Sequence, residues 1–138
     1  MPYIFKDGEK EDVIISFDIL NWQDAHHGRW GPQVDINLQI EAKDCSYTKN
    51  ISIDDYELID LAETILKFSR KEIKEYYEWD HIEQDIEVLF NPKDDKIRML
   101  IHFTPSTTHL SGFYFELWGL DEYMDFYKYL FEVINEKT

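Results

Sequence analysis

The chain has 138 residues, a formal charge of −15, one cysteine and an aromatic share of 16%. That charge disfavours nucleic acid and anionic membranes and favours a basic partner, while the aromatics argue against disorder. One cysteine excludes an intrachain disulfide and fits a reducing, cytoplasmic setting, and neither a signal-peptide core nor an apolar membrane span stands out.

At this length a single domain, 1–138, is expected. Tyr3 to Phe5 reads as an edge strand. From Val13 to Leu20, Val13, Ile15, Phe17 and Ile19 share a face. Asn21 to Gln33 follows as a polar and aromatic loop. Val34 to Ala42 alternates most cleanly: Val34, Ile36, Leu38, Ile40 and Ala42 point one way, while Asp35, Asn37, Gln39 and Glu41 point the other. One dry and one wet face imply antiparallel sheet. Lys43 to Ser46 reads as a turn and Tyr47 to Ile53 as a third strand.

Asp54 to Tyr77 reads as one long amphipathic helix. Leu58, Ile59, Leu61, Ala62, Ile65, Leu66 and Phe68 fill half of the wheel, with Asp60, Glu63, Thr64, Lys67, Arg70 and Lys71 opposite. Ile73, Tyr76 and Tyr77 return to the apolar half. Asp54 is a natural N-cap, and Glu57 three residues on completes a capping box.

The second half repeats the plan. Ile82, Ile86, Val88 and Phe90 face inward, as do Ile97, Met99, Ile101 and Phe103. The turn Pro92-Lys93-Asp94-Asp95 pairs Phe90 with Ile97, Val88 with Met99 and Ile86 with Ile101. On the outer face it sets Leu89 opposite Arg98 and Asp85 opposite His102. A strand from Gly112 to Trp118 leads to a last helix near Asp121, whose stripe is Tyr123, Phe126, Tyr127, Leu130, Val133 and Ile134. The fold class is α+β, antiparallel sheet with two amphipathic helices in the order βββα-βββα. Leu38, Ile40, Leu61, Ile65, Leu66, Val88, Ile101, Phe115 and Leu130 are expected in the core. Ile53-Asp54-Asp55-Tyr56 and Leu120-Asp121-Glu122-Tyr123 open the two helices alike; independent acidic caps explain this more simply than a duplication.

Catalytic signatures are missing. Cys45 has only Lys43 and Lys49 as cationic neighbours in sequence, and neither a GxSxG motif nor a glycine-rich phosphate loop occurs. The reading is therefore non-enzymatic, with no cofactor. The adjacent His26 and His27 are poor co-ligands, so no metal is expected.

Two stretches are candidate partner-binding sites. The loop carries Trp22, His26, His27, Arg29 and Trp30, and tryptophan and arginine are favoured interface anchors. Trp22 and Trp30 can equally pin a long loop to the sheet. The second stretch is acidic, with Glu72, Glu75, Glu78, Asp80, Glu83, Asp85 and Glu87. It suits a basic groove, or is a solvated face partly neutralised by Lys96 and Arg98.

The alternating strand Val34 to Ala42, the phrase Ile53-Asp54-Asp55-Tyr56-Glu57-Leu58, and Phe113-Tyr114-Phe115-Glu116-Leu117 followed by Asp121 to Ile134 together resemble small immunity proteins of bacterial polymorphic and contact-dependent toxin systems. The resemblance is one of pattern across most of the chain and transfers no binding residue. It implies a cytoplasmic, non-catalytic protein that binds a cognate toxin domain, often a basic nuclease. Competing classes are a ligand-binding or adaptor domain, self-associating through a strand edge, and an enzyme whose site lacks a familiar motif.

Overall fold

The computed structural model describes residues 3–6, 14–22, 33–42, 45–80, 86–102 and 112–137. The elements are β1 (Tyr3–Lys6), β2 (Ile14–Trp22), β3 (Gln33–Ala42), β4 (Cys45–Asp54), α1 (Asp55–Ser69), β5 (Tyr77–Asp80), β6 (Ile86–Asn91), β7 (Lys96–His102), β8 (Gly112–Trp118) and α2 (Gly119–Lys137). The fold is α+β: two antiparallel four-stranded meanders, β1-β2-β3-β4 and β5-β6-β7-β8, each followed by a helix. An edge strand heads each half, β1 at the expected Tyr3–Phe5 segment and β5 where the long helix was expected to end. Backbone contacts divide the chain into two compact units, Met1–Tyr56 and Glu57–Glu136.

In the first unit the alternation of β3 sets the register. Ile40 pairs with Ile15 and Tyr47, Leu38 with Phe17 and Lys49, Ile36 with Ile19 and Ile51, and Val34 with Trp22 and Ile53. All but Ile19, Tyr47 and Lys49 of these side chains are buried. Lys49 lies on the apolar row of an edge strand, a charge that discourages further strand pairing. The opposite face is a polar ladder. Asn37 Nδ2 donates to Asn50 Oδ1 at 2.7 Å, Ser52 Oγ to Asp35 Oδ1 at 3.1 Å, and Asn21 Nδ2 to Asp35 Oδ2 at 3.5 Å. Leu20 has no partner on β3: the register shifts between Ile19 and Asn21, so Trp22 rather than Asn21 returns to the buried face.

In the second unit, β6 and β7 pair in the expected register, Phe90 with Ile97, Val88 with Met99, Ile86 with Ile101 and Leu89 with Arg98. Local chemistry builds the turn. Asn91 Oδ1 accepts from the Lys93 amide at 3.1 Å, Pro92 presets φ, and Asp95 takes the left-handed region at φ 50°. Val13, Ile82, Asp85 and Phe103, assigned to strands from the sequence, lie outside the described residues.

Helix α1 is shorter than its periodicity predicts. The Lys71 amide bonds to Phe68 O at 3.1 Å and the Glu72 amide to Lys67 O at 3.0 Å, around Lys71 at φ 62°. This is a Schellman cap with lysine where glycine is usual. Tyr77 and Trp79 then join a sheet, with Trp79 buried opposite Val88. Pairing a β-forming aromatic alternation overrides the helical period there. The buried face of α1 is also rotated from the expected one. Glu57 and Thr64 are buried, whereas Leu66 and Ile59 are only half-buried. Thr64 is accommodated because its hydroxyl donates to Asp60 O at 2.7 Å.

On α2, Tyr123, Phe126 and Leu130 are buried, and Tyr127, Val133 and Ile134 are half-buried at the stripe's margins. The two helix-opening phrases are not structural equivalents. Asp54 precedes α1, whereas Asp121 is the third residue of α2; Tyr56 is exposed and Tyr123 buried. Acidic residues suit both starts for their own reasons.

The Phe68 ring lies 5.4 Å from Phe90 and 5.3 Å from Tyr123, edge-on to both. The Tyr123 hydroxyl donates to Asp95 Oδ1 at 2.9 Å, and Lys71 Nζ reaches the same oxygen at 3.3 Å. Burial, then the Asp95 bond and charge, hold the Tyr123 hydroxyl well above its ordinary pKa of 10.0. An unfolded tyrosine ionises near pH 10 while the folded one keeps its proton, so this residue withdraws stability as pH rises above that point. Melting temperature should therefore fall between pH 9.5 and 11, and less steeply in Tyr123→Phe. Leu61→Ala should cost about 2–5 kcal/mol in urea unfolding, and Leu66→Ala clearly less, because only Leu61 is fully enclosed.

Candidate functional site

The acidic stretch takes three structural forms. Glu72 and Glu75 lie in the connection after the α1 cap, Glu78 and Asp80 on the edge strand β5, and Glu87 on β6. The first four are exposed and Glu87 is half-buried. Asp80 and Glu87 are direct cross-strand partners. Like charges so placed oppose each other. Glu83 and Asp85 lie outside the described residues.

Aromatic side chains are interleaved with these carboxylates. Tyr76 is 55% exposed and Tyr77 42% exposed, between Glu75 and Glu78. Tyr77 also touches Phe90, with ring centroids 6.1 Å apart, so the core fixes one side of it. The helical reading of this segment hid the two tyrosines as candidates; an aromatic–acid alternation was the available signal.

The loop candidates fare differently. Trp22 is 7% exposed and in register with Val34, a core residue that offers a partner little surface. His26, His27, Arg29 and Trp30 lie outside the described residues. Among the described residues no group of three His, Cys, Asp or Glu side chains is placed to hold a metal ion. Among them, too, no helix is long and apolar enough to cross a membrane.

Beside the acidic edge, the outer face of β6 and β7 carries a pocket of about 240 Å³ lined by Tyr76, Leu89, Asn91, Asp94, Lys96 and Arg98. The sequence offers Lys96 and Arg98 only as neutralisers of the acidic row; the register makes them neighbours on one wall. The Tyr76 hydroxyl senses both surfaces. Burial first, then Glu78, raise its pKa; Arg98 opposes them and Glu87 adds a smaller push upward. Glu78→Gln should therefore lower the Tyr76 pKa and Arg98→Gln should raise it, read from the tyrosine ¹³Cζ shift on alkaline titration. Two variants that titrate like the parent would break this electrostatic link.

No protein-family model matches the chain, and neither a curated protein nor a solved structure matches it.

Proposed function

We propose that this protein is a non-catalytic module that binds a basic protein partner, and that it serves as a cytoplasmic immunity protein neutralising a bacterial toxin domain. The observation that carries the reading is the exposed series Glu72, Glu75, Glu78 and Asp80, which runs from the α1 cap along an edge strand and encloses the exposed Tyr76 and Tyr77. Carboxylates steer a cationic surface into place, and tyrosines supply rigid contact area once water is expelled. The formal charge of −15 extends the steering field, and the pattern-level resemblance to immunity proteins supplies the biological setting. The pocket on β6 and β7 favours a second reading, a ligand-binding domain.

The two roles separate kinetically. Affinity capture from the source cells supplies the partner, and stopped-flow mixing at several ionic strengths measures the rates. Reversing Glu75, Glu78 and Asp80 to lysine should slow association at least tenfold at low salt and flatten its salt dependence, since the screening length falls from about 10 Å at 0.1 M to about 3 Å at 1 M. Tyr77→Ala should mainly accelerate dissociation. Association that ignores salt in the parent protein would leave the acidity as a solubility device.

A further inference from the structure

We infer that the pocket on the outer face of β6 and β7 is a binding site for a small oxyanion, a carboxylate or phosphate group carried on a flat apolar body. The inference concerns a different ligand from the toxin-binding reading and shares only Tyr76 with it; Lys96 and Arg98, which carry the test, belong to the pocket alone.

The pocket is assembled by register. Leu89 pairs with Arg98 and Asn91 with Lys96, so two positions on each strand form one patch. Period-two alternation puts these four side chains opposite the buried Val88, Phe90, Ile97 and Met99. Tyr76, just before β5, closes one side; Asp94 in the hairpin turn closes another. The volume of about 240 Å³ is just under the ~300 Å³ at which small-molecule pockets usually begin, a size suited to a single aromatic ring and its anionic group.

The lining has two kinds of chemistry. Leu89 and the face of Tyr76 present apolar surface. Arg98 and Lys96, two residues apart on β7, bring a guanidinium and an ammonium to the lining. A guanidinium grips a carboxylate or phosphate through two parallel hydrogen bonds, and an ammonium beside it adds a point charge. The Tyr76 phenol keeps its proton at neutral pH and can donate a third bond.

The acidic groups nearby decide the orientation. Asp94 Oδ2 already accepts from Asn91 Nδ2 at 3.2 Å at the turn end of the pocket. Glu78 and Glu87 act on the Tyr76 hydroxyl. The oxyanion therefore sits between Lys96 and Arg98, with the apolar body over Leu89 and Tyr76. More distant carboxylates are damped within a screening length of about 8 Å at physiological salt.

The test is a ¹H–¹⁵N titration of the full chain at 0.15 M salt with phenyl phosphate, benzoate and the neutral benzyl alcohol. Both oxyanions, or one of them, should give saturable shifts centred on Leu89, Asn91, Lys96 and Arg98. The alcohol should bind at least tenfold more weakly. A preference for phenyl phosphate assigns a phosphoester ligand, and a preference for benzoate a carboxylate. Arg98→Gln should weaken binding at least tenfold and Lys96→Gln several-fold, each with unchanged amide shifts for the parts of the second unit away from the pocket, α1 and α2, as the control for folding. If Arg98→Gln disturbs the fold, Lys96→Gln and Tyr76→Phe carry the comparison. The site is overturned if no saturation occurs, if benzyl alcohol matches the oxyanions, or if the folded variants titrate like the parent.

Discussion

The Phe68 ring meets one ring from β6 and one from α2, at an interplanar angle of 62° to each. Edge-to-face contacts of this kind add about 0.5–1.5 kcal/mol per pair beyond the apolar area they bury. Three elements far apart in sequence converge there, so the contact fixes where both helices stand relative to the second sheet. Tyr123 serves two purposes. Its ring completes the corner, and its hydroxyl holds Asp95 in the hairpin turn. The turn in turn sets Asn91 and Lys96 opposite each other, and that pair forms one end of the outer-face pocket. The core interaction and the surface chemistry are thereby one connected arrangement.

The second sheet tolerates local costs around this corner. Lys71 and Asp95 both occupy the left-handed region that favours glycine, and their side chains approach to 3.3 Å. An exposed pair of this kind returns at most about 1 kcal/mol, comparable to the penalty at one such position. Asp80 facing Glu87 adds a repulsion. Trp79 and Val88, adjacent and buried, keep the strands paired despite it.

Much of the fold was legible because period and turn chemistry agreed. The β6–β7 register followed from Ile86, Val88 and Phe90 on one side of Asn-Pro-Lys-Asp-Asp and Ile97, Met99 and Ile101 on the other, and the β3 faces from strict alternation. Two features were not. The end of α1 was hidden because Ile73, Tyr76 and Tyr77 also satisfy a helical period, and a lysine at the cap position gives no warning. The bulge in β2 contains neither glycine nor proline. The acidic stretch was visible as composition, but its aromatic partners were not. The pocket draws on Tyr76, the hairpin turn and β7, and it becomes visible only once Tyr76 is taken out of the helix.

The residue of β2 left without a partner on β3 bears on how this chain can change length. Ile19 is in register with Ile36, and Trp22 with Val34, so the strand spends three steps where its partner spends two. Removing Leu20 would restore equal spacing and leave Ile15, Phe17, Ile19 and Trp22 on the face they now occupy. Removing either neighbour, Ile19 or Asn21, could keep the same faces only if Leu20 took a paired position. The codon for Leu20 is thus a place where an in-frame deletion can be absorbed inside a strand, a kind of variation ordinarily confined to loops.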